Sequence, residues 1–244
     1  MPRHRDFCLS PACTETRMWV PLESDPEVFN RFLSQGNVPG VSFSEIYGLD
    51  PDLLAMVPDP CLAVVMCFPL SEAYENRRAM EEKGNSESNL HVNNKDGVFF
   101  LTQKVGNACG TIALLHAVSN LYHTHDISLS SGFFHQFVTS NEGKNADEVG
   151  RAFEESSTFA VTHAELATHG QSALPEDMSK VELHFITFVN FHGTIYELDG
   201  RRSAPRSHGA TTSFLHDVTP LIQTFMQEAN SQSFSLMALS LSYE

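Results

Sequence analysis

The apolar positions of this chain follow both strand spacing and helix spacing. Residues 61–68 form a continuous apolar run that Pro69 closes, and this run predicts a central strand buried on both faces. Apolar residues within positions 28–33 recur at helical spacing behind the capping sequence of residues 24–27, and they predict a helix that ends near Gln35. The chain therefore combines both kinds of element.

Similar patterns predict the remaining elements, and together they indicate one mixed α/β (α+β) domain with five or six strands. The further helix candidates are residues 50–56, 71–83, 112–121, 131–139, 145–155 and 214–228. The further strand candidates are residues 98–101, 184–191, 194–198 and 234–241, of which the second and third form a hairpin around His192 and Gly193. Residues 84–95 and the polar residues 155–180 predict loops.

Length and charge narrow the classes of function. The 244 residues fit a single domain with a substantial core. A formal net charge of −15 disfavours nucleic acids and anionic membranes as partners and favours a basic protein partner. Solubility alone is the competing explanation for such a charge.

The cysteines and the N-terminal segment bear on the compartment. Five cysteines are an odd number, and no apolar run typical of a secretory signal is visible, so we expect a reducing, cytoplasmic or also nuclear environment. Residues 1–17 lack periodicity and predict a flexible tail ahead of a catalytic domain over residues 18–244. Cys8 and Cys13 have no matching second pair, so no metal site is expected there.

Cys109 is the first candidate for chemistry. It lies in the first turn of a predicted helix, where unpaired backbone N–H groups and the helix dipole favour a thiolate. Gly106 and Gly110 flank it and leave room for a substrate chain. Gln103 ends the strand that leads into this turn, so its amide and the Cys109 N–H are candidates for an oxyanion hole. Taken alone, such a cysteine is more often a buried, inert thiol, and such a glutamine is more often a surface amide.

The predicted hairpin singles out one histidine among twelve. With the turn at His192 and Gly193, Ile186 lies opposite Asp199, and His184 shares a face with Asp199 as a diagonal neighbour. Such neighbours are about 7–8 Å apart at the backbone, within imidazole–carboxylate reach. The alternative is a surface cross-strand pair, which the apolar surroundings of His184 disfavour.

These side chains together predict nucleophilic acyl transfer. His184 would deprotonate Cys109, Asp199 would orient His184, and Gln103 would help to hold the oxyanion. The mechanism needs no metal and no organic cofactor. Neither a dinucleotide-binding glycine motif nor a P-loop motif occurs in the sequence.

The residues around these four candidates resemble the ubiquitin C-terminal hydrolase family, known as peptidase family C12. Residues 103–117 (QKVGNACGTIALLHA) resemble its active-site segment, and residues 183–189 (LHFITFV) and 196–201 (YELDGR) resemble its His and Asp segments. Further similarity covers residues 19–26, 46–54 and 161–163, so it extends essentially from Met18 to the C-terminus. Within the family we expect the greatest similarity to the isozyme L3 type, while residues 84–95 and 140–160 depart from the pattern.

The resemblance implies a papain-like fold with a mostly antiparallel central sheet, flanking helices and a knotted backbone. It implies a monomeric thiol hydrolase that removes small or flexible adducts from the C-terminal glycine of ubiquitin, with the related modifier Nedd8 as a further candidate, because residues 155–180 would cross over the active site. The residues expected to contact ubiquitin are Pro21, Leu22, Glu23, Ser24, Asp25, Pro26, Ala167, Thr168, His169, Gly170, Gln171, Ser172, Ala173 and Leu174, together with positions 228–233.

Two other hypotheses compete with an active hydrolase. A protein that binds and stabilises ubiquitin with slow or no turnover would carry the same contact residues, although the complete set of catalytic candidates favours an enzyme. A metal-binding regulator does not fit, because no CxxC pair accompanies suitably spaced histidines.

Overall fold

The computed structural model describes residues 18–84, 93, 97–170, 177–229, 231 and 233–242. The predicted N-terminal tail and most of the predicted 84–95 loop lie outside these residues. The helices are α1 (Pro26–Gln35), α2 (Pro51–Leu54), α3 (Glu72–Gly84), α4 (Cys109–His123), α5 (Gly132–Ser140), α6 (Ala146–Glu155), α7 (Ser157–Leu166) and α8 (Phe214–Ala229), with a short 3₁₀ turn at Met178–Lys180. The strands are β1 (Val41–Glu45), β2 (Cys61–Pro69), β3 (Leu183–Phe191), β4 (Thr194–Leu198), β5 (Arg206–Ala210) and β6 (Ser235–Leu241).

The described strands form one six-stranded sheet in the order β1-β6-β2-β3-β4-β5, and all its neighbours are antiparallel. The predicted sheet of five or six strands is thereby confirmed. β2 lies between β6 and β3, and Val64, Val65 and Met66 are fully buried, as the unbroken apolar run predicts. Strands β1 and β5 were not predicted, since both are short and β5 is largely exposed.

The sheet separates two hydrophobic cores. Val65 and Cys67 face the larger core, which is built around α4 together with α1, α5, α6 and α7. Val64, Met66 and Phe68 alternate to the other face, where α8 packs with Tyr74 of α3. Every residue of α4 from Cys109 to Leu121 is buried, so this helix is enclosed on all sides. None of the described helices is long and apolar enough to cross a membrane.

The hairpin of β3 and β4 has the predicted register. Thr187 pairs with Leu198, and the turn residues His192 and Gly193 both have positive φ, of 50° and 80°. Two such residues in succession are typical of a type I′ turn, whose twist matches that of the strands it joins. The register carries Asp199 to the position just beyond β4, alongside His184.

Residues 98–101 are not a strand, contrary to the prediction. Side chains take the place of a neighbouring strand: the Asn120 amide exchanges two hydrogen bonds of 2.9 Å with the Phe99 backbone, and the Asn93 amide exchanges two of 2.7 and 2.8 Å with Phe100. The Leu101 N–H donates to Nε2 of His116 at 3.2 Å. The segment is buried, which explains its apolar, strand-like sequence.

The prediction of one loop over residues 155–180 is also wrong. Ser156 caps the helix α7 by accepting a hydrogen bond from the Phe159 N–H. The buried positions Phe159, Thr162, His163 and Leu166 have helical spacing. Two of them are polar, which hid the pattern from a search for apolar residues.

Candidate active site

The helix α4 starts at Cys109 and points its N-terminal end at the site. No side chain caps it, since Ala108 is at the N-cap position. Asn107 precedes it with φ at 60°, and its amide donates to the carbonyl oxygens of Trp19 and Met178 at 3.1 and 3.0 Å. These bonds fix the turn that presents Cys109 to the groove between the N-terminal segment and β3.

The Cys109 thiol is acidified in spite of its burial. Burial raises the pKa of the thiol, but the hydrogen bond and charge of His184 and the backbone N–H groups of Phe185 and Gly110 outweigh it and bring the pKa below its ordinary value. A lowered pKa favours the thiolate, which is the nucleophilic form of a cysteine.

His184 and Asp199 form a buried pair next to this thiol. Nε2 of His184 lies 2.7 Å from Oδ1 of Asp199, as the hairpin geometry predicts. Burial lowers the pKa of His184, but the Asp199 carboxylate, with the hydrogen bonds to Asp199 and Cys109, raises it to about 9. The imidazole is therefore able to hold the proton of the thiol, because a histidine with this pKa is charged at neutral pH.

Asp199 accepts hydrogen bonds on both carboxylate oxygens. Oδ1 accepts from the Arg201 N–H at 2.9 Å as well as from His184, and Oδ2 accepts from the Tyr74 hydroxyl. Burial raises the pKa of Asp199, but the charge of His184 and these hydrogen bonds hold it well below the usual range. Sequence reasoning missed Tyr74, and the only signal was a single aromatic residue in the polar segment 71–83.

Gln103 lies close to the carboxylate side of the site. Its backbone N–H donates to Gly200, the residue after Asp199, at 2.7 Å, and its side-chain Nε2 donates to Val105 at 2.8 Å. Its Oε1 atom is buried without a hydrogen-bond partner among the described residues. The Nε2 atom carries a second N–H, so the role of Gln103 in an oxyanion hole stays a prediction.

A cavity of about 440 Å³ opens beside Cys109, and residues expected to contact ubiquitin line it. Its walls are Pro21, Leu22, Glu23, Ser24, Cys67, Asn107, Cys109, Ala167, Gly170, Val181, Leu183, Phe185, Ser233, Phe234 and Ser235. A cavity of about 520 Å³ elsewhere, near Phe214 and Asn190, contains none of the candidate catalytic residues, so we associate function with the smaller one.

Other expected contact residues do not line this cavity. Asp25 caps α1 by accepting from the Glu27 N–H at 2.7 Å, and Pro26 is the first residue of that helix. The Thr168 hydroxyl donates to the Glu165 carbonyl at 2.7 Å, and a ring nitrogen of His169 lies 3.3 Å from Arg31. Gln171, Ser172, Ala173 and Leu174 lie outside the described residues.

Cys67 was not predicted as a residue of the site. It lies on β2 opposite Phe185, and it lines the same cavity as Cys109. Burial, with a smaller contribution from Cys109, raises the pKa of Cys67 well above its usual value. The two thiols of one cavity therefore differ sharply in reactivity.

Two buried histidines serve packing. Burial lowers the pKa of His116 and of His163 to about 4, so both rings are neutral at physiological pH. His116 stacks on Phe100 with ring centroids 5.1 Å apart. Nδ1 of His163 lies 2.7 Å from the Thr111 hydroxyl, and this contact joins α7 to α4.

Comparisons with known proteins find similarity to one family of hydrolases along most of the chain. The profile described as ubiquitin carboxyl-terminal hydrolase, family 1, matches residues 19–227. A probable ubiquitin carboxyl-terminal hydrolase of Dictyostelium discoideum is 36% identical over 225 residues, 91% of this chain and 87% of the relative. Ubiquitin carboxyl-terminal hydrolase 3 of Arabidopsis thaliana is 37% identical over 233 residues, 93% of this chain and 96% of the relative.

An animal relative and a solved structure agree with these matches. The ubiquitin carboxyl-terminal hydrolase isozyme L1 of Rattus norvegicus is 34% identical over 225 residues, 90% of this chain and 96% of the relative. The catalytic domain of Trichinella spiralis UCH37, solved with ubiquitin vinyl methyl ester, has a TM-score of 0.72 at 21% identity and covers 92% of this chain and 96% of that chain. This likeness shows the papain-like fold.

The fold and the relatives define a cysteine-type deubiquitinating hydrolase. The chain belongs to the ubiquitin carboxyl-terminal hydrolase family 1, as the resemblance of residues 103–117 indicated. The greater similarity to the isozyme L3 type and the knotted backbone stay predictions.

Proposed function

We propose that this enzyme hydrolyses the bond after the C-terminal glycine of ubiquitin with Cys109 as nucleophile, His184 as base and Asp199 as the residue that orients the base. The observation that carries the proposal is the buried His184–Asp199 hydrogen bond of 2.7 Å beside an acidified thiol that lines an open cavity. A base held by a carboxylate and set against a nucleophile is the arrangement that acyl transfer requires.

The reaction runs in two halves. His184 takes the thiol proton, the Cys109 thiolate adds to the glycine carbonyl carbon, and the oxyanion accepts hydrogen bonds from the Cys109 N–H and the Gln103 amide. The tetrahedral intermediate expels the leaving amine or alcohol, which receives the proton from His184. Water then adds to the thioester with His184 as base, and the ubiquitin carboxylate leaves while Cys109 is regenerated.

Three observations support ubiquitin as the substrate. The T. spiralis relative was solved with ubiquitin vinyl methyl ester. The cavity beside Cys109 has apolar walls at Leu22, Leu183 and Phe185, which suit an extended peptide tail. The net charge of −15 favours a basic partner surface.

The size of the leaving group is the finer part of the proposal. Residues 167–170 and 177–182 connect to the described ends of α7 and β3, and Ala167, Gly170 and Val181 line the cavity of Cys109. These described residues beside the cavity favour small or flexible adducts, because a folded adduct would have to pass them. Nedd8 is proposed as a second substrate.

The alternative is a protein that binds ubiquitin with slow or no turnover. It is favoured only by the burial of Cys109, of which 7% is exposed, because a buried nucleophile needs the cavity to widen before a carbonyl reaches it. The lowered pKa of Cys109 argues for turnover, because a thiol that only lines a binding site does not need acidification.

The test is reaction of the purified protein with ubiquitin vinyl methyl ester, read by intact mass. We expect one adduct, formed as the Cys109 sulfur adds to the vinyl group, that is absent from Cys109→Ala and present in the matched variant Cys67→Ala. An adduct that persists in Cys109→Ala would contradict the assignment of the nucleophile. If folded wild-type protein still binds ubiquitin but forms no adduct, the hydrolase proposal gives way to the ubiquitin-binding alternative. Reaction with Nedd8 that carries the same C-terminal vinyl methyl ester group tests the second substrate.

A further inference from the structure

The helix α3 is fastened to the turn that carries Asp199. Arg78 donates to the Arg201 carbonyl at 3.0 Å, and Arg201 pairs with Glu75 at 2.5 Å. The next residue, Arg202, pairs with Glu81 at 2.9 Å. We name the four α3 residues that contact this turn the α3 clamp, and its members are Tyr74, Glu75, Arg78 and Glu81.

Tyr74 is the buried member of the α3 clamp. Only 2% of it is exposed, whereas the other three members are charged and lie nearer to solvent. Its ring packs edge-on against Phe68 at 5.1 Å and lies 5.9 Å from Phe225. With the ring fixed in this way, the hydroxyl oxygen has a fixed position, from which it donates to Oδ2 of Asp199.

The division of donors between the two carboxylate oxygens determines how Asp199 is held. His184 and the Arg201 N–H occupy Oδ1, which alone would leave the carboxylate free to rotate about the bond to its Cβ. The Tyr74 hydroxyl occupies Oδ2 and removes that freedom. Phe68 packs edge-on against the rings of both Tyr74 and His184, so one aromatic side chain supports the donor and the base together.

We propose that Tyr74 is a positioning residue of the hydrolase, whose hydroxyl locks the Asp199 carboxylate in the orientation that aligns His184 with Cys109, and that the α3 clamp holds it there. This inference rests on the proposed roles of Cys109, His184 and Asp199. It adds a further side chain, supplied by a different part of the chain from the catalytic candidates. The hydroxyl itself touches no substrate, so its effect passes through Asp199.

Tyr74→Phe is the decisive variant, because it removes the hydroxyl and keeps the ring that packs in the core. We expect kcat for ubiquitin with a C-terminal fluorogenic amide to fall about 10- to 100-fold, since small misplacement of a catalytic group has such costs. KM should change by less than about 2-fold, because Tyr74 does not line the cavity. The matched control is Tyr122→Phe at the far end of α4, which should leave both constants unchanged.

A second readout is independent of ubiquitin. The rate at which iodoacetamide alkylates Cys109 reports the thiolate that His184 maintains, and it should fall in Tyr74→Phe but not in Tyr122→Phe. Glu75→Gln, a half-exposed change in the α3 clamp, should give a smaller loss of kcat in the same direction and covers the case in which Tyr74→Phe does not fold.

The outcomes separate the two proposals. The role of Tyr74 would be overturned if folded Tyr74→Phe kept the wild-type kcat and the wild-type rate of alkylation, or if only its KM changed. The proposed roles of Cys109, His184 and Asp199 would be unaffected. If the wild-type protein neither turns over the ubiquitin substrate nor forms a Cys109 adduct, the proposed function fails, and the alkylation rates still decide whether Tyr74 aligns His184.

Discussion

Nε2 of His184 lies 2.7 Å from Oδ1 of Asp199, and no more than 3% of either side chain is exposed. Replacing Asp199 by Asn should lower kcat about 10³- to 10⁴-fold, because an amide neither fixes the tautomer nor stabilises the imidazolium. The control Asp52→Asn makes the same change at an exposed position of α2 and should leave kcat unchanged. A kcat within tenfold of wild type, an order-of-magnitude limit, would contradict the role of Asp199. Fluorogenic ubiquitin hydrolysis is the measurement.

The raised pKa of His184 predicts how stability depends on pH. The pKa rises from 6.5 to about 9 on folding, so the folded state binds this proton more tightly than the unfolded state. The stabilisation is complete below the unfolded pKa and is lost as the pH rises through about 9. Urea unfolding between pH 6 and 10, a range we set around these values, should show a loss of about 3 kcal/mol.

His184→Gln isolates this contribution from that of other groups titrating at high pH. The variant should be less stable at neutral pH and should lose less stability than the wild type towards the alkaline end. Parallel curves for the two proteins would mean that His184 is not the group responsible.

The described cysteines should differ in reactivity. The pKa of Cys109 lies below its ordinary value, burial raises that of Cys61 to about 12, and burial raises that of Cys67 further still. Limited iodoacetamide at neutral pH should therefore modify Cys109 before the other two, as peptide mass mapping can measure. Denatured protein provides the control, since the order should vanish there. Earlier labelling of Cys67 would contradict the cavity electrostatics described above.

Substitution of Asn120 should cause a large loss of folding stability. Its amide exchanges hydrogen bonds with Phe99 and donates to His116, all in the core. Asn120→Ala should lower the free energy of unfolding by about 3 kcal/mol, because buried backbone groups of Phe99 lose their partners. The control is Asn190→Ala, which among the described residues loses one hydrogen bond, from the Gly193 N–H. It should cost less than about 1 kcal/mol in the same urea titration.

Alternation and register were enough to place the two residues of the buried pair. The turn at His192 fixes which residues of β3 and β4 face each other, so the proximity of His184 and Asp199 follows from counting along two strands. The helix start at Cys109 follows from local pattern in the same way. The resemblance added the inference that Cys109 and the His184–Asp199 pair belong to one known fold.

Contacts made by polar side chains over long sequence separations could not be predicted. Asn120 supplies Phe99, within residues 98–101, with the hydrogen bonds that a neighbouring strand would otherwise supply. The apolar pattern of a buried segment is the same whether or not that segment is a strand. Tyr74 is 125 residues from Asp199 along the chain, and nothing local marks its hydroxyl as a partner. Such pairs depend on how whole helices and strands pack against each other. No short stretch of the sequence shows that packing.

The enclosure of α4 limits which substitutions the enzyme tolerates. A helix on the surface has a solvent-facing stripe where mutations accumulate at little cost, but positions 109–121 have none. In a saturation library selected for activity, this one segment should therefore accept the fewest replacements, and even exchanges between similar apolar residues should be filtered by size. The proposed nucleophile, Cys109, thus lies in the part of the molecule where the fewest sequence changes should be tolerated.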